Sequence, residues 1–366
     1  MTSQDIYEQL MIHLSSMGMM CPPRADLLTI LKSNFSEEEA KVALAIPSKT
    51  IPFHGISLRE ISKSIEIPMK HLKNILESLT NRGLLFSYKD QTTGEMNYAL
   101  QQSGFGFPQV FFWKGEDTIH SRRMANQVLK YFDTEVTKES YCTNPIPFRF
   151  IPVDEIVEPE TQAILPYHVM EEIIKKAKVI AVAHCICRQS TKLIGRECEH
   201  PKEVCMKFND LARYIIDKGF AREVSTEEAL EISKKASDAG LVHFTDNAID
   251  NVQQNCNCCG CSCWNLGRIR RRMIPRDEII ATYFIRETIY ENCVGCGNCI
   301  DICPADAIKL EDNHAVIDTN WCVGCGVCVS KCPNEAIKIA LRKDLKQKIP
   351  EENFQILHRK ILKNRN

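Results

Sequence analysis

Between Asn292 and Pro333 the chain repeats itself. Asn292-Cys-Val-Gly-Cys-Gly-Asn-Cys-Ile-Asp-Ile-Cys-Pro304 returns, 29 residues on, as Trp321-Cys-Val-Gly-Cys-Gly-Val-Cys-Val-Ser-Lys-Cys-Pro333. Ala-Asp-Ala-Ile-Lys (305–309) likewise matches Asn-Glu-Ala-Ile-Lys (334–338). Two copies this close predict a duplicated small module. Only Cys21 and Cys142 of the 19 cysteines precede position 185. A secreted disulfide scaffold is short and carries a leader. This chain has 366 residues, and its first ten hold Asp5 and Glu8 with no apolar core, so no secretory signal is expected. Nor does any apolar run approach the ~18 residues of a membrane span. Clustered C-x-C and C-x-x-C spacings then read as thiolate ligands to metal in a reducing compartment. A cytoplasmic, oxygen-sensitive protein is expected.

Each copy is spaced C-x2-C-x2-C-x3-C-P. Three thiolates on one tight, glycine-containing loop can face three irons of one cubane, and the fourth must come from elsewhere because the loop cannot wrap around. Zinc sites more often use two separate C-x-x-C pairs. The run resembles that of bacterial-type two-cluster [4Fe-4S] ferredoxins. That resemblance implies two clusters and a swapped ligand pattern. Cys293, Cys296 and Cys299 would share a cluster with Cys332, and Cys322, Cys325 and Cys328 one with Cys303. Gly295, Gly297, Gly324 and Gly326 would let the backbone approach closely, and Pro304 and Pro333 would redirect the chain after each last ligand.

A second set follows no single standard spacing. His184-Cys185-Ile-Cys187-Arg188 precedes Cys198 and Cys205, and Cys256-Asn-Cys258-Cys259-Gly-Cys261-Ser-Cys263 comes later. If Val179 to Cys187 is a strand, Cys185 and Cys187 share a face and can reach one metal. The nine cysteines suffice for two further four-iron clusters with one to spare, for one cluster plus a zinc, or for an atypical cluster; iron–sulfur is preferred to zinc. His184 and His200 are candidate ligands or hydrogen-bonding neighbours. Arg188 and the run Arg268, Arg270, Arg271 and Arg272 are candidates to offset cluster charge or to dock an acidic partner. Cys21 and Cys142 read as ordinary buried thiols.

The N-terminal third carries no such chemistry. Ser36 with Glu39, and Ser57 with Glu60, have capping-box spacing. Pro68 opens a helix through Leu72, Ile75, Leu76 and Leu79, with Gly83 beyond its end. Leu84–Tyr88 and Met96–Leu100 read as a hairpin. Three helices and a hairpin resemble a winged helix-turn-helix module over residues 30 to 102. Residues 50–90 hold six Lys/Arg (59, 63, 70, 73, 82, 89) against four acids (60, 66, 77, 90), weak for phosphate binding. Partner docking is preferred to DNA. Further helices are predicted from His120 to Phe132, near Tyr167 to Lys176, from Phe208 toward Gly219, and after Ser225. The basic tail from Arg342, with Ile356, Leu357, Ile361 and Leu362, suits a docking helix or an electrostatic patch.

An α+β multidomain protein is expected: a winged-helix-like module (1–105), a central α/β cysteine-rich metal-binding domain (106–275), a ferredoxin-like dicluster domain (276–340) and a basic C-terminal tail (341–366). The whole order resembles a group of anaerobe iron–sulfur proteins, which implies redox function. There is no G-x-G-x-x-G after a strand, no phosphate loop, no C-x3-C-x2-C radical run and no nucleophile elbow. With 46 basic and 47 acidic residues, global charge selects no partner. The leading expectation is a relay of single electrons to a redox partner protein. The alternatives are a redox-sensing DNA-binding regulator and an oxidoreductase that uses a central cluster.

Overall fold

The computed structural model describes residues 5–153, 165, 168–344 and 349–365. Both capping boxes form. Ser36 caps helix Glu37–Leu44 and Ser57 caps helix Leu58–Ser62, with the Glu39 and Glu60 carboxylates accepting from the cap N–H groups at 2.9 and 2.8 Å. The second helix ends before Ile65, because the Lys63 N–H turns back onto the Glu60 and Ile61 carbonyls. Pro68 is the cap of helix Met69–Asn81 rather than its first residue. Strands Ile56–Ser57, Met96–Leu100 and Leu85–Lys89 form a three-stranded antiparallel sheet in that order. Helices Ile6–Ser15 and Ala25–Asn34 precede this unit.

The middle of the chain builds a seven-stranded sheet. Its order is Ile280–Ala281, Phe148–Ile151, Val242–Asp246, Gln254–Cys258, Glu203–Phe208, Ile180–His184 and Arg222–Glu223. Every pairing is antiparallel except the first. Side chains alternate between faces. Val182, Met206 and Phe208 pack on one face with Met170, Ile173 and Ile174 of helix Met170–Lys176 and Ala229, Ile232 and Ala236 of helix Thr226–Asp238. Ala181, Ala183, Cys205 and Phe244 face the other way, into a core continuous with the N-terminal unit. There the Tyr214 hydroxyl donates to the Leu85 carbonyl at 2.7 Å, tying helix Asn209–Asp217 to the hairpin.

One expectation fails in this sheet. The run Val179–Cys187 is a strand only over Ile180–His184, so Cys185 and Cys187 do not share a strand face. The ladder is irregular between Ala183 and His184, and the Cys185 N–H donates to the Lys202 carbonyl at 2.6 Å. The Cys185 carbonyl then accepts from the Gln189 N–H at 2.9 Å, which starts helix Ile186–Leu193. Helices Ile119–Tyr131, Asn209–Asp217 and Thr226–Asp238 lie where periodicity and caps place them. Tyr167 lies outside the described residues. Cys21 is buried, but Cys142 is exposed just beyond helix Thr134–Tyr141.

The cysteine repeat folds as two matching halves. Strand Phe284–Thr288 pairs with Ile337–Leu341, and Ile308–Glu311 with His314–Ile317. Positive φ recurs at equivalent places, at Gly295 and Gly324, Gly297 and Gly326, and Asp306 and Glu335. A Cβ on Gly295 would lie 2.3 Å from the Asn313 carbonyl oxygen, and one on Gly324 would lie 2.1 Å from that of Phe284. These glycines let one cysteine loop lie against the turn at Asn313 and the other against strand Phe284–Thr288.

The tail docks back on the core. Strand Glu351–Asn353 adds in parallel to Ala248–Asp250. Helix Phe354–Arg365 buries Phe354, Leu357, His358 and Ile361. Phe354 stacks on Phe53 at 5.6 Å, so the last helix closes on the N-terminal unit. Among the described residues no helix is long and apolar enough to cross a membrane.

His358 makes this closure sensitive to acid. It packs on Phe105 and Phe354, neither ring nitrogen has a partner, and burial lowers its pKa from 6.5 to about 3. Protonation therefore favours the unfolded chain. This contribution is complete above the unfolded value and is lost as pH falls from 6.5 toward 3. Between pH 7 and 5 it amounts to about 2 kcal/mol. His358→Leu is expected to flatten that part of the stability curve in urea titrations, and an unchanged slope would refute the assignment.

Candidate metal centres

The cysteines gather at four places. In the C-terminal repeat one cavity is lined by Cys293, Cys296, Cys299 and Cys332, and another by Cys303, Cys322, Cys325 and Cys328. Each takes three cysteines from one copy and the last from the other. Backbone N–H groups already point at sulfur. Ala315, Ala307, Gly324 and Ala336 donate to Cys293, Cys303, Cys322 and Cys332 at 3.4, 3.4, 3.4 and 3.3 Å. Burial raises the thiol pKa of Cys299, Cys322 and Cys325, and pushes Cys328 up to about 12.

Arg286 lines both cavities. It is only 3 % exposed, its Nε and Nη1 have no hydrogen-bond partner among the described residues, and its Nη2 lies 3.9 Å from Cys299 Sγ. A buried cation facing eight thiols and no carboxylate fits a site whose occupant is anionic. Residues 283–339 match the 4Fe-4S dicluster domain. No curated protein and no solved structure matches the chain. The chain thus carries a 4Fe-4S dicluster domain, and the orphaned Arg286 N–H groups, the paired cysteine cavities and the donated backbone N–H groups suit that cofactor.

The nine central cysteines fall into two overlapping groups. Cys185, Cys187, Cys205, Cys256, Cys258, Cys259 and Cys263 line one cavity of about 60 Å³. The dicluster cavities measure about 20 Å³ each. Strand alternation explains the central set. Cys256 and Cys258 face the cavity with Gln254, while Asn257 between them turns to the other face. There it meets His243 at 2.7 Å and donates to the Val204 carbonyl at 2.7 Å, which pins the strand. The Trp264 and Leu266 N–H groups donate to Cys187 and Cys263, both at 3.4 Å.

Two buried cations serve this cavity. Arg188 is fully buried and donates to the Asn257 carbonyl, while its Nε and Nη2 have no oxygen or nitrogen partner among the described residues and it faces the Cys259 thiol. Burial alone would lower its pKa, but the Cys185, Cys259 and Cys258 thiolates outweigh that and raise it. Lys207, 1 % exposed, donates to Gln254 Oε1 at 2.8 Å. Cys205 has its pKa lowered to about 6, chiefly by the hydrogen bond from Cys256 and further by Lys207. Cys185 is lowered to about 7, chiefly by Cys187 with Arg188 assisting.

Cys198 and Cys261 meet His200 and Cys259 in a second group, so that Cys259 borders both the cavity and this group. His184 points elsewhere, its ring lying over Gly115. The arginine run divides as well. Arg268 is buried and donates to the Trp264 and Phe132 carbonyls, Arg272 donates to the Ala305 carbonyl and covers the Trp321 ring, and Arg270 and Arg271 are exposed. Arg286 and Lys207 lie outside every cysteine motif, so spacing did not reveal them. Alternation within strand Phe284–Thr288 was the only sequence signal for Arg286.

If Arg286 sets the electrostatics of the dicluster domain, Arg286→Gln lowers both cluster potentials and Arg286→Lys restores part of the shift. A unit charge ~6 Å away at an effective dielectric of ~20 is worth about 3 kcal/mol, on the order of 100 mV for one electron. An EPR-monitored redox titration in which both potentials stay within the wild-type error would disprove this role.

Proposed function

We propose that this protein is a one-electron relay. Its dicluster domain exchanges electrons with a partner protein, and the central cysteine cavity holds a further iron–sulfur cluster at the other end of the path. The observation that carries this reading is the contact at Gly260. This residue sits between Cys259 and Cys261, and a Cβ there would lie 2.1 Å from the Pro304 carbonyl oxygen. The central cysteine loop therefore rests on the residue after Cys303. Further bonds fix that contact. The Val153 N–H donates to the Cys325 carbonyl at 3.0 Å, and Arg276 donates to the Cys322 carbonyl at 2.7 Å.

Four-iron clusters supply one-electron chemistry at potentials set by burial, hydrogen bonds and charge. In this reading Cys293, Cys296, Cys299 and Cys332 hold one cluster, and Cys303, Cys322, Cys325 and Cys328 the other. Cys185, Cys187, Cys205, Cys256, Cys258 and Cys263 supply thiolates to the central one, with Arg188 and Lys207 balancing their charge. The larger central cavity suits a group of several atoms better than a lone ion. Cys296 is exposed beside Val294 and Tyr290, themselves 64 % and 53 % exposed, and this apolar rim is where the partner docks.

We read the N-terminal unit as a winged module, a reading its capped helices and three-stranded sheet support, and assign it to docking rather than to DNA. Three of the six Lys/Arg of residues 50–90 are already paired, and so is His71 beside them. His71 meets Glu38, Lys73 meets Glu77, Arg82 meets Glu39 and Arg59 meets Glu95.

Anaerobically purified full-length protein is expected to hold about eight irons from the two cubanes and at least four more from the central cavity. All should respond to one-electron titration. Gly260→Ala is expected to keep the iron, cost about 1–3 kcal/mol through overpacking, and slow electron exchange between the central and C-terminal signals in rapid-freeze EPR. Iron that stops at about eight, or a central signal that never takes an electron, would overturn the relay.

A further inference from the structure

We infer that Cys198, His200, Cys259 and Cys261 form a mononuclear zinc site beside the central cavity, with Cys259 on the border between the two. The four donor atoms all lie within 4.8 Å of one another. Cys198 Sγ is 3.8 Å from Cys259 Sγ, 3.2 Å from Cys261 Sγ and 3.2 Å from His200 Nδ1. Two thiolates bound at about 2.3 Å to one tetrahedral ion sit about 3.8 Å apart. A cubane places each thiolate on a different iron, which holds the sulfurs much farther apart than this. The spacing therefore selects a single ion. Three thiolates and one imidazole are a structural zinc set, closed by four protein ligands with no position left for substrate.

The backbone around the site shows what the ion does there. Cys198-Glu-His200 lies between helix Ile186–Leu193 and strand Glu203–Phe208, in a stretch with no regular structure. Its neighbours are held by few bonds, chiefly the Arg196 N–H to the Thr191 carbonyl and the Cys185 N–H to the Lys202 carbonyl. Cys259-Gly-Cys261 lies 61 and 63 residues from Cys198, and its flanking residues Cys258 and Cys263 line the neighbouring cavity. Zinc would staple the two loops and so hold Cys258 and Cys263 in place. Cys258 and Cys259 are adjacent in the chain, both border the cavity and Arg188 faces both, but only Cys259 also has its sulfur within 4.8 Å of the Cys198, His200 and Cys261 donors. This inference stands whether or not the cavity holds a cluster, because it rests on the mutual spacing of these four donor atoms.

Zinc-edge X-ray absorption on anaerobically purified full-length protein, together with zinc, iron and sulfide analysis, tests it. The expected result is one zinc per chain with three sulfurs at about 2.3 Å and one nitrogen at about 2.0 Å. His200→Cys is expected to keep the zinc and the iron while the shell becomes four sulfurs. Absence of zinc from the wild-type protein would overturn the site, and so would a zinc shell of any other composition. Loss of about four irons on His200→Cys would overturn it too, since that is the mark of a cubane. The wild-type spectrum decides even if the variant does not fold.

Discussion

Buried positive charge that faces thiols rather than carboxylates is the constraint on which this structure depends. Arg286 stands between the two C-terminal cavities, and Arg188 and Lys207 stand at the central one. An unpaired cation in a protein interior is strongly unfavourable. Here Arg286 and Arg188 are compensated only if the thiols around them are ionised and held together, while Lys207 also has the buried Asp246 carboxylate nearby. The cysteine cavities and the cations are thus one electrostatic unit: ligands that need deprotonating, and cations that need the resulting charge. The same arrangement excludes a conventional apolar core at these places, so the surrounding fold has to supply rigidity by other means.

That rigidity comes from the sheet and from three tethers. Alternation along strand Gln254–Cys258 sends cysteines to one face and Asn255 and Asn257 to a buried polar network on the other. The N-terminal unit is tied down by the Tyr214 hydroxyl, and the tail helix closes over Phe53 and Phe105. The dicluster halves are pressed against the central loop at Gly260 and Pro304. The metal-bearing loops have little regular structure of their own, and they take their geometry from these contacts.

Local chemistry was legible in the residues. Both capping boxes, the helices ended by glycine, the hairpin and the duplicated cysteine module all arise from interactions between residues close in the chain. Where the reading failed, distant backbone had intervened. Cys185 and Cys187 left the strand because the Lys202 carbonyl took the Cys185 N–H, and a helix began instead. Cys142 proved exposed because its helix ends at the surface, which no local pattern records.

By itself, then, the sequence determined that this chain carries a duplicated four-cysteine module of the 4Fe-4S dicluster kind, since ligand spacing within one loop is a local property. The tertiary structure alone decided how the nine central cysteines divide, because their donors come from a strand edge, a helix start and two loops far apart in the chain. It alone brought Arg286, Arg188 and Lys207 to the thiols, and it alone turned the basic tail inward as a buried helix. Those outcomes depend on which face of a strand or helix meets which neighbour, and long-range packing sets that orientation.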